Sequence, residues 1–331
     1  MSRFCARHAT MRLMTAKARD HVDEIVSQWR RACPSVDASP IAITGRVTRI
    51  ALYLDRSIDT HLEPYRLTRS GFEVLVMLRA TAAHHLSPTG LARGQRMSSA
   101  GITGLVDQLA SLGLVGRSPD PHDRRRVLVS LTRRGSEMVA MAGAGRRRNQ
   151  ERLERSLGVE SVRCLDELLE RLLTSVDSDF NGSVDGTSRR LARMALHVNT
   201  EAEALFSRFG ITHGGFQVLA SLYRAGPPYR RSPSRVARGL MLSGAGLTGR
   251  MDQLERLGLL KRNRDRDDRR AVVVELTAAG RRLVRAAFPV FVGSHARLLD
   301  QALEPVQLSA LRAQLRTVLQ QFESSEPQGR A

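Results

Sequence analysis

The chain carries one sequence pattern twice. Residues 71–135 begin GFEVLVMLRA and end RRRVLVSLTRRG, and residues 215–280 begin GFQVLASLYRA and end RRAVVVELTAAG. The two copies are offset by 144 residues at Gly71 and Gly215, and by 145 from Ser87 and Ser232 onward. Solenoid repeats run about 20–50 residues, so a longer period indicates a duplicated domain. We call the two copies the first and the second repeat.

Composition permits two ordinary domains and points to a polyanionic partner. The chain has 331 residues, 42% hydrophobic and only 4% aromatic, so the cores must consist mostly of aliphatic side chains. The net charge of +19 favours nucleic acid, because each phosphate that is neutralised releases counterions. Lys17 and Lys261 are the only lysines. A GC-rich genome would explain that arginine bias equally well, so charge alone does not decide the partner.

Several classes of protein are disfavoured. Cys5, Cys33 and Cys164 are widely spaced and form no CxxC pair, which argues against disulfide scaffolds and zinc sites and fits a reducing compartment. The dipeptide His84-His85 has no partner at metal-ligand spacing. No 18-residue apolar run and no signal-peptide pattern occurs. We therefore expect a cytoplasmic protein with no membrane partner, no metal and no cofactor.

Helical periodicity predicts elements on both sides of the repeated segments. An amphipathic helix is predicted over 16–33, with Val22, Ile25, Val26 and Trp29 on one face. Further helices are predicted over 45–61 and 190–206, and short ones over 71–80 and 215–225. Long helices are predicted over 132–155 and 277–299, followed by closing helices over 161–176 and 305–322. The acidic stretch 176–188 has linker composition.

Inside each repeat the helix signals form a helix-turn-helix pattern. Ser87-Pro88 and Ser232-Pro233 place an N-cap residue before a proline that suits the first helical position. Ser98 and Ser243 are predicted to cap the second helix, which Gly113 and Gly258 end. Two short strands with a charged connection follow: 114–118 and 126–131 in the first repeat, 259–263 and 271–276 in the second. A hairpin at this place is a wing.

The repeats resemble the MarR (multiple antibiotic resistance regulator) family of winged helix-turn-helix transcription factors. The resemblance rests on SSAGITGLVDQLASLGLV and DPHDRRRVLVSLTRRG in the first repeat, and on LSGAGLTGRMDQLERLGLL and DRDDRRAVVVELTAAG in the second. The family normally forms homodimers through terminal helices, so the resemblance implies a fused, single-chain pseudo-dimer. The implied fold is mainly α with small β wings (α+β), with two winged helix-turn-helix domains joined through long terminal helices of the dimerisation type.

The expected domain organisation follows from these assignments. Residues 1–39 are an N-terminal helical extension, 40–177 the first winged helix domain and 178–188 the linker. Residues 189–323 are the second winged helix domain, and 324–331 are a disordered tail.

The second helix of each helix-turn-helix pair is expected to enter the major groove, with its first turns on base edges. Wing arginines suit the narrow, electronegative minor groove. The predicted DNA-binding residues are Ser98, Ser99, Thr103, Gly104, Arg124, Arg125, Arg126, Ser243, Thr248, Arg250, Arg269 and Arg270. The alternative is that the small residues only cap and pack, and that the wing arginines are solvated surface charges. The family resemblance implies that wing aspartates brace the arginines: Asp120, Asp123, Asp265 and Asp268.

One pair of matched positions differs in a way that bears on specificity. Leu105 of the first repeat corresponds to Arg250 of the second. A position that accepts arginine is not expected to be strictly core. Arg250 is therefore a candidate for a phosphate or guanine contact, whereas Leu105 would touch a thymine methyl group or nothing. The two repeats are expected to read different half-sites.

In the family, small aromatic acids or phenols enter a crevice between the dimerisation helices and the DNA-reading part. The resemblance therefore implies a small aromatic or phenolic effector. Candidate lining residues, chosen by position, are Tyr53, His61, Tyr65, Arg66, His197, Phe206, Arg208 and Tyr223. Packing or surface roles are the alternative for each. Oxidant sensing through Cys33 is a further option, although the second repeat has no matching cysteine.

These observations predict a ligand-responsive repressor that binds an imperfect inverted repeat in double-stranded DNA as a monomeric pseudo-dimer. The alternative is an architectural DNA-binding or protein-interaction module without sequence specificity, for which the arginines of both wings offer no support. An enzyme is not expected, because the sequence shows no GxGxxG after a strand and no nucleophile–base set.

Overall fold

The computed structural model describes residues 19–81, 84–95, 97–121, 123, 126–178, 180, 186–264 and 272–325. These residues are mainly helical, with two small antiparallel sheets, and both repeats form winged helix-turn-helix folds. The predicted fold class is confirmed. Two compact units are present: one is Leu52–Leu153, and the other combines Met1–Ala51 with Glu154–Ala331, as far as they are described.

The first half of the chain contains eight described helices and three strands. The helices are α1 (His21–Ala32), α2 (Ile41–Leu62), α3 (Arg69–Ala80), α4 (Pro88–Gln95), α5 (Ser99–Ser111), α6 (Arg133–Ala142), α7 (Ala144–Leu157) and α8 (Val159–Val176). The strands are β1 (His85–Leu86), β2 (Val115–Pro119) and β3 (Val127–Leu131). A 3₁₀ turn, Glu63–Tyr65, follows α2.

The second half repeats this order. Its helices are α9 (Thr187–Ser207), α10 (His213–Tyr223), α11 (Pro233–Leu240), α12 (Gly244–Arg256), α13 (Ala278–Asp300) and α14 (Pro305–Ser324). Its strands are β4 (Arg230–Arg231), β5 (Leu260–Arg264) and β6 (Val272–Leu276). We call α3 to β3 (69–131) the first head, and α10 to β6 (213–276) the second head.

Helix boundaries are set by matching caps in the two repeats. Each N-cap hydroxyl accepts a hydrogen bond from the backbone N–H three residues further on, which satisfies one of the otherwise unpaired donors at the helix start. These pairs are Thr68 and Thr212, Ser98 and Ser243, and Thr132 and Thr277. Gly113 and Gly258 both end the helix at φ +68°, a left-handed conformation that suits glycine.

Each head has a three-stranded antiparallel sheet, in the order β1-β3-β2 and β4-β6-β5. The wing hairpins share one register, with Val115 opposite Leu131 and Leu260 opposite Leu276. The hairpin strands were predicted to within one residue. The third strands, β1 and β4, were not predicted, because two residues are too short to show a period-2 pattern.

The helix predicted over 132–155 is interrupted in the structure. Gly143 separates α6 from α7, whereas Phe288 at the matching position lies inside the continuous α13. Glycine disfavours a helix interior by about 1 kcal/mol relative to alanine, and Gly145 follows within one turn. The two glycines favour the break in this helix, whereas α13 stays continuous although it contains Pro289.

The larger unit combines helices from both repeats. Helix α8, which closes the first repeat, packs against α9, α13 and α14 of the second. The apolar face of α8 is buried there, including Leu165, Leu169 and Leu173. The predicted linker separates α8 from α9, although residues 179 and 181–185 lie outside the described part, as do residues 326–331 of the predicted tail. The terminal helices of the two repeats therefore share a hydrophobic core.

Helix α1 is anchored to this unit by a buried ion-pair network. The guanidinium group of Arg46, at 1% exposure, donates to Asp20 at 2.8 Å and to Asp23 at 2.6 Å. Arg316 of α14 also donates to Asp23, at 2.9 Å. Burial alone would raise the pKa of Asp23, but hydrogen bonds and charge from Arg316 and Arg46 outweigh it and lower that pKa. Among the described residues, no helix is long and apolar enough to cross a membrane.

Candidate nucleic-acid interface

Helices α5 and α12 present matching polar first turns. Ser98 and Ser243 accept hydrogen bonds from the N–H groups of Gly101 and Gly246 at 3.1 and 3.2 Å. Each serine hydroxyl therefore still has its proton to donate. Both serines are exposed, and so is Ser99.

The next turn adds acceptors and an open backbone. The hydroxyls of Thr103 and Thr248 donate to the carbonyls of Ser99 and Gly244 at 2.8 and 2.9 Å, which leaves their oxygen lone pairs facing outward as acceptors. A Cβ added at Gly104 or Gly249 would meet no described atom within 4 Å. Donors, acceptors and bare backbone on an exposed helix face match what base edges in a major groove present.

The structure corrects the interpretation of position 105. Leu105 is 9% exposed and belongs to the core of its unit, so it is not available for a thymine methyl group. The matching Arg250 is half-buried, and its guanidinium group packs against Gly214 at the start of α10. A long side chain reaches along the helix surface from a site where leucine turns inward. This position therefore adds a cation to the second head alone.

An ion pair that was not predicted from the sequence links the second helix of each helix-turn-helix to its wing. We call these second helices, α5 and α12, the recognition helices. Arg117 on β2 contacts Asp107 of α5 at 2.6 Å, and Arg262 on β5 contacts Asp252 of α12 at 2.6 Å. Arg262 also pairs with Glu255 at 2.8 Å. An arginine in the first wing strand and an aspartate in the recognition segment recur at matching positions of both repeats. Comparison of the repeats could have found this signal.

The described wing residues lie at the hairpin tip of the first head. Arg126 is exposed and contacts Asp123 at 3.4 Å, and its backbone N–H donates to the Asp123 carbonyl at 2.8 Å. The Asp120 N–H donates to the Arg126 carbonyl at 2.9 Å. Six predicted residues lie outside the described part of the chain: Arg124, Arg125, Asp265, Asp268, Arg269 and Arg270. Their roles stay predictions.

The first four predicted effector residues lie in α2 or directly after it. Tyr53 is buried, and the rings of His61 and Tyr65 meet edge to face at 6.2 Å. His61 also lies 3.5 Å from the Met141 carbonyl. Arg66 is exposed at φ 55°.

The other four fall in the unit that holds the second head. Phe206 is fully buried and stacks on Phe216 at 4.1 Å, whereas Arg208 is exposed and His197 is half-buried. Tyr223 is buried and accepts a hydrogen bond from Arg285 at 3.0 Å. Phe206 and Tyr223 are therefore enclosed by protein side chains.

An open cavity of about 600 Å³ lies between α3 and the α6–α7 segment. Its walls include Phe72, Val76 and Val139, and arginines 79, 146 and 147 also line it. None of the predicted effector residues lines this cavity. The sequence pattern did not reveal it, because α3 and α6 meet only in the folded chain.

Oxidant sensing through Cys33 and metal binding by His84-His85 receive little support. Burial raises the pKa of the Cys33 thiol, which lowers its thiolate fraction at neutral pH and with it its reactivity towards oxidants. His85 is in strand β1, opposite Ser130. No group of three or more His, Cys, Asp or Glu residues in the described part of the chain is arranged to hold a metal ion.

Comparison with known proteins matches both repeats. A family model described as MarR family matches residues 67–126 and 209–271. The HTH-type transcriptional regulator PecS of Dickeya dadantii is 31% identical over 119 residues, which is 36% of this chain and 72% of PecS. The multiple antibiotic resistance protein MarR of Escherichia coli is 31% identical over 121 residues, 36% of this chain and 82% of MarR.

Among solved structures, wild-type E. coli MarR in its apo form matches with a TM-score of 0.35 and 28% identity, over 38% of this chain and 92% of that one. The relatives are transcriptional regulators, which confirms the expectation of a regulator rather than an enzyme. The two separate family matches confirm the tandem duplication. The chain therefore belongs to the MarR family of DNA-binding transcriptional regulators, with the winged helix-turn-helix domain present twice.

Proposed function

We propose that this regulator binds an imperfect inverted repeat in duplex DNA as a single-chain pseudo-dimer and releases it when a small aromatic or phenolic effector binds. The observation that carries the proposal is the packing of α8 against α9, α13 and α14. In the family, such terminal helices join two separate chains. Here helices of both repeats pack in one unit of a single chain.

Matching polar faces support two half-sites. Both recognition helices carry a capping serine and a threonine in their first turns, and both are braced to a wing strand by an arginine–aspartate pair. Two such helices bind successive major grooves when they lie about one helical turn, roughly 34 Å, apart. The duplicated, braced helix is what a two-site reader requires.

Position 105/250 supports unequal half-sites. Arg250 of α12 carries a half-buried guanidinium group that lies against Gly214, and the buried Leu105 offers no such group on α5. Arginine pairs with guanine or with phosphate oxygens. The half-site of the second head therefore differs from that of the first, which makes the inverted repeat imperfect.

Selection of bound sequences from random duplex DNA at near-physiological salt tests this function. Wild type should enrich a two-part site, and Arg250→Leu should degrade one half of it. Arg256→Leu, in the last turn of the same helix, is the matched control and should leave the motif intact. Binding that follows salt alone and enriches no motif would favour the architectural or protein-interaction function instead.

Light scattering tests the pseudo-dimer separately. A chain that pairs internally should be monomeric in free solution and still protect both half-sites in a footprint. A stable dimer of chains without DNA would overturn the single-chain proposal.

A further inference from the structure

The cavity beside α3 has a counterpart in the second repeat, which differs in side chains. With the repeat offsets of 144 and 145, the cavity positions correspond pairwise to second-repeat residues. The pairs that change character are Arg79 with Tyr223, Ala80 with Arg224, Ala140 with Arg285, Gly143 with Phe288, Arg146 with Phe291, and Arg147 with Val292. We call the cavity the first crevice, and the matched positions around Tyr223 and Phe288 the second crevice.

In the second crevice three of these side chains, Tyr223, Arg224 and Phe288, lie against Trp29 of α1. The indole ring stacks on Phe288 with ring centroids 3.6 Å apart and planes 12° apart, and the Tyr223 centroid is 6.0 Å away. The Arg224 guanidinium carbon lies 5.4 Å from the centre of the same ring. Trp29 is 2% exposed. The second crevice therefore already contains a planar aromatic ring with a cation against it.

Helix α1 holds this ring in place by more than its stacking. Arg224 donates to Gln28 at 3.3 Å, one residue before the tryptophan along the chain. The Arg46 network fixes the N-terminal end of the same helix. The His21 N–H donates to Glu323 of α14 at 3.1 Å. Trp29 is therefore held in place by the hydrogen bonds of its helix as well as by its own stacking.

The first crevice is open where the second is filled. Gly143 stands where Phe288 supports the indole, so the floor lacks one aromatic ring and the space remains empty of described side chains. The remaining aromatic residue is Phe72, which is fully buried beneath the Arg146 guanidinium carbon, 4.9 Å from its ring centre. A flat ring that enters the cavity therefore meets the guanidinium group of Arg146, on which an aromatic ring can stack.

Charge in the first crevice favours an anion. Arg146 is bonded to Glu73 through Nη2, but its buried Nε has no hydrogen-bond partner among the described residues. Arg79 and Arg147 are exposed at the same cavity. The exposed guanidinium groups of Arg79 and Arg147 can pair with a carboxylate through charge-assisted hydrogen bonds. Room for a ring beside these cations therefore favours a planar aromatic carboxylate.

We propose that Trp29 of α1 is an internal occupant of the second crevice, so that the chain binds one planar aromatic anion, in the first crevice, rather than two. This inference rests on the effector response proposed above and assigns it to one repeat. The second repeat therefore stays permanently in the conformation that it has when its crevice is occupied. Effector control of DNA binding then acts through the first repeat alone.

Calorimetry with 1-naphthoate, and with 1-naphthamide as its uncharged match, tests the stoichiometry. One naphthoate per chain is expected, with the amide weaker by about tenfold or more, as for loss of a charge-assisted hydrogen bond. Arg146→Gln should weaken naphthoate binding by a similar factor. Arg133→Gln, a fully exposed neighbour on α6, should leave it unchanged. Two equivalent sites per wild-type chain, or no naphthoate binding, would overturn the inference.

Two further variants exchange the state of the crevices. Gly143→Phe gives the first crevice the floor residue of the second and should abolish naphthoate binding while DNA binding persists. Trp29→Gly should lower the melting temperature, and added indole should restore part of the loss in this variant and none in wild type. If Trp29→Gly does not fold, the Gly143→Phe result decides alone, and unchanged naphthoate affinity in it contradicts the inference.

The outcome is separable from that of the proposed function. Sequence-specific DNA binding is measured without naphthoate, so a failed stoichiometry with an intact two-part motif rejects only the internal-occupant inference. Loss of the motif rejects the proposed function whatever the crevices bind.

Discussion

The first and second heads share the helix caps and ion pairs that shape the surface of the helix-turn-helix. They differ in the crevice next to their first helix, α3 or α10. Capping hydroxyls, helix-ending glycines and the arginine–aspartate brace occur at matching positions in both. Behind α3 lies an open cavity lined by arginines, whereas behind α10 a tryptophan stacks on Phe288. The two repeats therefore have the same helix-turn-helix geometry, whereas the side chains of the neighbouring crevice differ.

The largest expected effect is on the stability of the unit that contains the second head. Asp20→Ala leaves the buried Arg46 without its fully buried counter-charge, and breaking such a pair costs about 3–5 kcal/mol. Trp29 is the only tryptophan, so its fluorescence during denaturation reports this unit. Glu24→Ala, an exposed carboxylate on the same helix, is the control. Equal midpoints for the two variants would show that the network does not anchor α1.

A pair of glycines tests whether the shared framework is equally demanding in both heads. A Cβ on Gly135 would lie 2.0 Å from the Leu114 carbonyl oxygen, and on Gly280 2.1 Å from that of Leu259. Gly135→Ala and Gly280→Ala should each destabilise the head that the glycine contacts by about 1–3 kcal/mol or more, because backbone must move.

Hydrogen exchange resolves the two heads and measures each of these effects. Gly104→Ala and Gly249→Ala are the controls: with open space around them, they should stabilise their helices by about 1 kcal/mol. A large loss in only one of the two heads would show that the shared framework is not equally strict.

A pH dependence should distinguish the repeats. Burial, and then the nearby His213, lower the pKa of His295 to about 3, and its Nδ1 lies 2.8 Å from the Thr44 hydroxyl. Below pH 6.5 the His295 imidazole becomes protonated in the unfolded chain but stays neutral in the folded chain. Stability is therefore complete above that pH and falls by about 1.4 kcal/mol per pH unit as the pH drops towards the folded value.

The first repeat has Gln150 at the position of His295. His295→Gln should therefore remove this contribution, as seen in denaturant midpoints followed by Trp29 fluorescence at pH 7 and 5.5. His84→Gln, outside that unit, serves as the control. A pH slope that is the same in wild type and His295→Gln would contradict the assignment.

The smallest effect should be the same in both heads. Ser98→Ala and Ser243→Ala each remove one N-cap hydrogen bond, which is worth about 1 kcal/mol. Exchange rates in the first turns of α5 and α12 measure the loss. Ser111→Ala, near the end of α5, is the control. A clear difference between the two serines would mean that the caps are not equivalent.

Local chemistry explains what the sequence predicts well. Ser98, Ser243, Gly113 and Gly258 specify helix ends within a few residues of chain, so the helix-turn-helix and the wings could be located without a structure. The amphipathic face that contains Trp29 was also evident.

Contacts between segments that lie far apart in the chain could not be predicted from the sequence. Periodicity shows that Trp29 is buried but not that Phe288 receives it. Substitution of arginine for Leu105 suggested an exposed site, yet leucine turns into the core and arginine extends along the surface. The cavity residues come from helices about 60 residues apart in sequence, and positional reasoning selected other side chains.

The packing of α8 against helices of the second repeat has a genetic consequence. When two halves are joined by peptide bonds, subunits cannot exchange between molecules. In the single-chain pseudo-dimer proposed above, a defective allele therefore yields only defective molecules and cannot inactivate the product of an intact allele by forming mixed dimers. Mutations that abolish DNA binding should accordingly be recessive.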